Sequence, residues 1–298
     1  MKPAPRHEAH AAAHAEPPKP PTPPASAADL DDALAAERAA LKALFPLPPP
    51  GRRSARGAAE APRARAAGAL ALAAVALLGG LYWFDPAYRS EQYASAVGER
   101  RGIQLADGSR IDLNAATRID VSWHLRSRRV VLHDGQALFA VAPASYRPFE
   151  VNAGDTRIRV VGTVFDVRND TGTVVVSVLE GRVRVGTPRQ APILLGAAEG
   201  IASAHGELGP MRQIDPQAAT AWRSGRLVFE RTPLAAALRD IQRHRDAPIR
   251  LHGEQLAGLE LSGVFDSERI DQLLDLLPTV LPLSLTRQPD GSVDLTAR

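Results

Sequence analysis

The chain has 298 residues, which is enough for two modest domains in addition to a tail. It contains no cysteine, which excludes disulfide bonds, thiolate metal sites and a cysteine nucleophile. The formal net charge is +3, and the excess lies in residues 1–65, because residues 85–298 hold 26 basic and 26 acidic residues. A neutral folded region lacks the positive surface that nucleic acids require, so no nucleic-acid partner is expected.

Residues 1–65 are predicted to form a tail without a hydrophobic core. Residues 1–28 hold eight of the 25 prolines, a composition typical of disorder. A helix is predicted over residues 29–45, because apolar side chains recur near one of its faces. These side chains are Leu34, Leu41, Leu44 and Phe45. A lone helix of this length is marginal in water, so it either binds a partner through this face or is only a linker.

Residues 66–84 form a run of 19 residues without charge, which is predicted to be one transmembrane helix. At about 1.5 Å per residue the run spans the roughly 30 Å hydrocarbon core of a bilayer. Tyr82 and Trp83 lie at its outer end, as interfacial aromatic residues do. Arginines are more frequent before the run than after it, which predicts a cytoplasmic N-terminus and an external C-terminal region. A cleaved signal peptide and a buried soluble helix are the alternatives.

Residues 92–209 are predicted to form an all-β domain, either a sandwich or a solenoid. Short runs with β-branched residues or polar–apolar alternation are separated by turn signals. Among these signals are Asp107-Gly108, Asp134-Gly135 and Glu180-Gly181. The expected fold class is therefore a membrane-anchored, mainly β protein.

Residues 222–298 are predicted to form a small α+β module with an internal repeat. The segments LVFERTPLAAALRDIQRHRDAPIRL and LELSGVFDSERIDQLLDLLPTVLPLSL each fit the order strand, helix, strand. The predicted buried helix faces comprise Leu234, Leu238 and Ile241 in the first helix and Ile270, Leu273, Leu274 and Leu277 in the second.

The common catalytic and cofactor motifs are absent from the sequence, including GxGxxG, the Walker loop, HExxH and GxSxG. No enzyme activity, cofactor or metal site is therefore expected. The tail histidines His7, His10 and His14 are better explained as solvated side chains than as metal ligands.

One peptide bond has a special chemistry, that between Gly162 and Thr163. A threonine hydroxyl can attack the preceding carbonyl, which glycine leaves unhindered, and the resulting ester hydrolyses and cuts the chain. The alternative is that Gly162 permits close packing and Thr163 is simply a favourable strand residue.

An ordered series of segments resembles the FecR family of inner-membrane sigma-factor regulators over roughly residues 92–298. The segments are GERRGIQLADGSRIDLNAATRIDV, RRVVLHDGQALFAVAPASYRPFEV, VVGTVFDV, VSVLEGRVRVG, AWRSGRLVFERTPL and LSGVF. The resemblance implies a regulator in the bacterial inner membrane, with a periplasmic C-terminal region, that controls an extracytoplasmic-function sigma factor. It also implies a TonB-dependent outer-membrane transducer as the second partner, in systems that regulate iron transport.

The C-terminal module looks similar to the secretin and TonB short N-terminal domain, and strand addition at an edge is the expected mode of docking to the transducer. The candidate docking residues are Leu227, Phe229, Leu261, Val264 and Phe265. Apolar side chains in these strands are also candidates for the core.

The tail departs from the family pattern, which usually has a folded, tryptophan-containing domain before the membrane, whereas the first tryptophan here is Trp83. The helix at 29–45 is therefore either a reduced sigma-binding element that folds on its partner or a remnant without that function. The competing interpretation is a membrane-tethered periplasmic scaffold or binding protein that controls no sigma factor.

Overall fold

The structure is a computed structural model that describes residues 27–44, 61–170 and 172–298. The chain divides into two units, Met1–Ala71 and Leu72–Arg298. Phe45, the side chain of Leu44 and the histidines of the tail lie outside the described residues.

Two helices precede the β region. Helix α1 spans Ala27–Leu44, close to the predicted range of 29–45, and helix α2 spans Ala61–Phe84. Over the described parts of the chain, no helix meets the length and apolarity expected of a membrane span.

Asp85 connects the last turn of α2 to the β region. Its backbone N–H donates to Leu81 O at 3.1 Å, and its backbone carbonyl accepts from His124 Nδ1 at 2.5 Å. Its carboxylate accepts from the Arg126 N–H and from Ser127 Oγ, each at 2.9 Å. Asp85 has a φ of 44°, in the left-handed region that aspartate tolerates better than most residues. The junction is therefore bonded on both sides of one buried residue.

The β domain consists of fourteen strands among the described residues. They are β1 (Ala87–Ala94), β2 (Arg101–Gln104), β3 (Arg110–Leu113), β4 (Arg118–His124), β5 (Arg128–Ala140), β6 (Phe149–Ala153), β7 (Thr156–Val160), β8 (Val164–Asp170), β9 (Thr173–Glu180), β10 (Val183–Thr187), β11 (Gln190–Leu195), β12 (Glu199–Ala204), β13 (Glu207–Leu208) and β14 (Arg212–Gln213). The domain begins before residue 92, where the sequence pattern placed its start. All strand pairs are antiparallel except β5 and β6, which are parallel.

The turn predicted at Asp134-Gly135 is wrong, because β5 continues through this position. Up to Asp134 the strand pairs with β4, and from Gly135 onward it pairs with β8. Gly135 has a φ of 101°, and a Cβ at this position would lie 2.5 Å from the Cα of Thr117. Only glycine fits here, so the Asp-Gly signal marks the point at which one strand leaves one sheet and enters a second.

The two sheets that share β5 enclose one hydrophobic core. Phe139 lies at its centre, with its ring centroid 5.1 Å from that of Phe165 and 6.0 Å from that of Phe149. The alternating burial in β7 and the exposure of Arg184 on β10 show that the opposite face of this part of the sheet is solvated. The domain is thus sandwich-like, as one of the two predicted architectures requires.

The C-terminal module repeats strand, helix, strand, as the sequence predicts. Its elements are β15 (Arg226–Pro233), α4 (Leu234–Gln242), β16 (Ile249–His252), α5 (Glu254–Ala257), β17 (Glu260–Asp266), α6 (Ile270–Val280), β18 (Leu283–Arg287) and β19 (Val293–Ala297). Strands β15 and β17 pair, and β19 lies between β16 and β18 in a second sheet. All seven predicted helix-face residues are buried in the core of the module. The two cores share no residue.

Candidate functional site

The C-terminal module is connected to the β domain by helix α3 (Pro216–Thr220) and a 3-10 turn at Ala221–Ser224. The turn buries Trp222, whose indole N–H donates to Asp166 Oδ1 on β8 at 3.1 Å. We call the contacts between the β domain and residues 216–298 the joint. The hydrogen bond between Trp222 and Asp166 is its centre.

Asp166 has a second donor, Gln136 Nε2, at 2.9 Å. Gln136 is itself held in position by Asn114, whose amide donates to Gln136 Oε1 at 3.0 Å. Burial raises the pKa of Asp166 to about 7, although the hydrogen bonds from Gln136 and Trp222 oppose this shift. Asp166 is therefore a carboxyl group that exchanges its proton near neutral pH.

Two arginines and two further carboxylates surround this centre. Arg168 Nη1 donates to Asp240 Oδ2 at 2.7 Å, and Arg168 Nε lies 3.1 Å from Asp170 Oδ2. Arg243, at the end of α4, donates to the carboxylate of Asp170 and to Asn169 O. Burial raises the pKa of Asp240, and the charge of Arg168 opposes that effect. The module is thus attached by arginine–carboxylate pairs whose members come from different domains.

A cavity of about 400 Å³ opens beside these pairs. His244 lines it, and His244 Nε2 has no hydrogen-bond partner among the described residues. Burial, together with Arg100 and Arg243, lowers the pKa of His244 to about 4. The imidazole is therefore neutral at neutral pH. Apart from this neutral ring, three carboxyl groups and two guanidinium groups lie close together. The charge of the cluster therefore depends on the protons of Asp166 and Asp240, whose pKa values are both raised.

The rim of the joint is exposed and also polar. Arg100 donates to Trp222 O at 3.2 Å and contacts Glu268 at 3.3 Å. Arg223 pairs with Asp112 at 2.9 Å. Gly225, next to Ser224, has a φ of 75°, a left-handed conformation that favours glycine.

The structure places most of the predicted docking residues in the core of the module. Leu227, Phe229 and Leu261 are buried, and Phe265 is half-buried. Val264 is 62% exposed on β17. Of these five side chains, Val264 is the one placed to contact a partner without rearrangement of the core.

The Gly162–Thr163 bond lies at the start of β8, between two backbone hydrogen bonds to residues 141–144. Thr163 is buried, and its hydroxyl donates to Arg182 O at 3.0 Å. A Cβ at Gly162 would lie 2.9 Å from Pro143 Cα, so close packing accounts for this glycine. Cleavage at this bond stays a prediction.

The described part of helix α1 presents the first two of the predicted sigma-binding leucines to solvent. Leu34 is 45% exposed and Leu41 is 57% exposed. Both are exposed within a helix that also carries charged side chains, so they are available to a partner.

Two other histidines pair with carboxylates, which the sequence pattern did not reveal. His252 Nε2 lies 2.9 Å from Asp294 Oδ1, and His133 Nε2 lies 2.9 Å from Asp120 Oδ2. Both pairs are partly exposed. In the portion of the chain that is described, no three His, Cys, Asp or Glu residues are grouped to hold a metal ion.

The fold and the joint define a two-part, mainly β protein in which a small α+β module is attached to a β domain by ion pairs. Residues 91–184 match the model of the FecR protein family, and residues 226–291 match that of the FecR C-terminal region. The chain belongs to the FecR family.

Two crystal structures of a candidate anti-sigma factor from Parabacteroides distasonis have a similar fold. Each has a TM-score of 0.64 and 24% sequence identity over 70% of this chain, and the match covers 100% and 99% of the respective chains. No curated protein matches the sequence.

Proposed function

We propose that the chain is a transmembrane regulator of an extracytoplasmic-function sigma factor. In this proposal it relays a periplasmic signal from a TonB-dependent outer-membrane transducer, and it acts by protein–protein contact rather than by catalysis. The observation that carries the proposal is membership of the FecR family through two separate regions, one in the β domain and one in the C-terminal module. The similar fold of a candidate anti-sigma factor points in the same direction.

Anchoring in the inner membrane is supported by the uncharged run of residues 66–84 and by the exposed leucines of helix α2. A lipid environment removes this apolar surface from water. The full-length chain should remain in the membrane fraction at high salt and alkaline pH. Release of the intact chain into the soluble fraction under these conditions would contradict anchoring.

The sigma-factor contact is assigned to helix α1, because Leu34 and Leu41 are seven residues apart and therefore lie near one face. An amphipathic helix that is marginal alone gains stability when such a face enters a groove of its partner. The contact therefore couples folding of the tail to binding of the sigma factor.

The transducer contact is assigned to the paired strands β15 and β17 of the module. Val264 lies opposite Val228 in this pair and is exposed. A two-stranded sheet has unpaired backbone groups at its edges, to which an extended segment of a partner can add.

The joint provides a route from the module to the β domain. Because its central contacts are ion pairs and one indole hydrogen bond, a partner that binds the module can compete for them without opening either hydrophobic core. Binding of a partner to the module would then weaken the contacts of the joint that attach the module to the β domain.

The test is transcription from a promoter that depends on the cognate sigma factor, in cells with the full-length chain. Leu41→Asp should change this transcription, because it places a charge in the proposed contact. Ala36→Asp is the matched control, since position 36 lies on the other side of the helix, and it should behave as wild type. If Leu34→Asp and Leu41→Asp both leave transcription unchanged while protein levels are normal, sigma control is excluded. The envelope-scaffold interpretation would then replace it.

A further inference from the structure

A cluster of arginines covers the solvated face of the sheet where β7 meets β10. Arg157 and Arg159 extend outward from β7, and Arg184 extends outward from β10. In the register of these strands Arg184 lies directly opposite Arg159, and Gly186 lies directly opposite Arg157. Like charges at directly opposed positions destabilise a sheet, so this arrangement calls for a compensating anion.

The chain supplies little of that compensation. Glu150 is the carboxylate beside the cluster, 3.8 Å from Arg159, and it also lies 3.6 Å from Arg129. Among the described residues, Arg157 and Arg184 form no ion pair. Of the three arginines, only Arg159 has a carboxylate partner among the described residues, and Arg129 shares that carboxylate.

A cavity of about 350 Å³ lies within this cluster. Gly186 and Pro192 line it together with the arginines, and a Cβ at Gly186 would lie 3.1 Å from Pro192 Cγ. The volume is in the range of pockets that hold small molecules. The arginines therefore surround a depression instead of a flat surface.

We infer that this cavity binds a phosphomonoester group, with Arg157, Arg159 and Arg184 as its donors. Guanidinium groups match the oxygens of a phosphate with paired hydrogen bonds, and a phosphomonoester carries nearly two negative charges at neutral pH. That charge balances the excess of the cluster, whereas a single carboxylate would leave part of it. The inference does not depend on sigma-factor control.

The phosphate can belong to a soluble molecule or to a lipid headgroup, and titrations of the purified full-length chain distinguish these sources. The soluble probes are inorganic phosphate and glycerol 3-phosphate. The lipid probe is a phosphatidylcholine vesicle containing phosphatidic acid, compared with phosphatidylcholine alone. Binding of the soluble probes indicates a soluble ligand, and binding of only the phosphatidic acid vesicles indicates a headgroup; either result supports the site.

Arg184→Gln should weaken binding by about tenfold or more, because it removes a charge-assisted hydrogen bond. Arg182→Gln is the control, since Arg182 is an exposed arginine just before β10 and outside the cavity, and it should bind as wild type.

Three results would overturn the inference. The first is that no phosphomonoester probe binds the wild-type chain. The second is wild-type affinity in Arg184→Gln, and the third is an equal loss of affinity in Arg182→Gln, which would indicate attraction to charge in general. Thermal unfolding of each variant shows that a loss of binding is not a loss of fold.

Discussion

In the β domain, Phe139, Phe149 and Phe165 pack with aliphatic side chains in a core that excludes water. At the joint, by contrast, Trp222 is hydrogen-bonded to a carboxyl group, and arginines pair with aspartates. Burial of apolar surface stabilises the first region, with little dependence on pH or salt. Charges stabilise the second, so its strength depends on every proton bound there and, at its exposed rim, on ionic strength.

This difference suggests a division of roles. Each core keeps its domain folded under all ordinary conditions, while the joint is the contact that can be weakened selectively. Substitutions that perturb one region and leave the other intact therefore test this division of roles directly.

The largest effect is expected from the core of the β domain. Phe139→Ala should lower the free energy of unfolding by about 3–5 kcal/mol, because it removes a buried ring and leaves a cavity. Urea denaturation followed by circular dichroism measures this loss. Tyr146→Ala, at an exposed position, should change it by less than about 0.5 kcal/mol.

Arg243→Met should destabilise the joint by about 2 kcal/mol, because it removes one of the two arginines paired with the buried carboxylate of Asp170 and leaves only Arg168. Hydrogen exchange of amides at the joint should become faster, while amides around Phe139 keep their protection. Faster exchange throughout the β domain would contradict the separation of joint and core. Arg223→Met is the matched control and should cost less than about 1 kcal/mol, because Arg223 is half-exposed and Asp112 keeps its pair with Arg110.

Asp166 should make stability fall as pH rises. Its pKa in the folded protein, about 7, exceeds the ordinary value of 3.8, so the folded state holds the proton more tightly than the unfolded chain does. The contribution of the protonated Asp166 carboxyl group to the free energy of unfolding is complete below pH 4. It is lost as the pH rises through 7. Asp240, whose pKa is also raised, adds in the same direction.

The measurement is the free energy of unfolding from pH 5 to pH 8 for wild type and Asp166→Asn. His244, whose pKa is lowered, contributes the opposite slope below pH 6.5, but it is present in both proteins and cancels in the comparison. The wild type should lose more than about 1 kcal/mol relative to Asp166→Asn over this interval. Parallel profiles would show that Asp166 is ionised throughout.

The smallest effect is expected at the rim of the joint. Glu268 is 76% exposed and lies 3.3 Å from Arg100, so Glu268→Gln should cost about 0.2–1 kcal/mol at low salt. The cost should vanish in 1 M salt, where screening removes the attraction. A cost that persists in high salt would mean that the pair acts through packing.

Local patterns predicted a helix and its buried face well where the spacing of apolar residues within that helix is sufficient to define the face. The spacing of Leu234, Leu238 and Ile241 places them on one face of α4, and all three are buried. The Asp134-Gly135 signal misled, because the positive φ of Gly135 serves a strand that crosses between sheets. Glycine is needed at position 135 because Thr117 approaches closely, and this contact cannot be read from the residues next to Gly135 in the sequence.

The joint could not be predicted from local patterns. Its pairs connect residues 72 and 73 positions apart, Arg168 with Asp240 and Arg243 with Asp170. In the sequence each of these residues resembles an ordinary solvated charged residue. It gains its ion-pair partner only because the β domain and the C-terminal module come together. Trp222 was noticeable as a rare residue within a family-like segment, but its hydrogen bond to Asp166 depends on the same docking.

Asp85 has a mechanical consequence. Only Asp85 and Pro86 separate the end of α2 from the start of β1, and Asp85 is bonded to Leu81 on one side and to His124 on the other. The ring of Tyr82 adds a contact, with the guanidinium of Arg126 4.4 Å from its centre. The connection is short and hydrogen-bonded on both sides. A rotation of the β4–β5 hairpin is therefore transmitted directly to the final turn of α2.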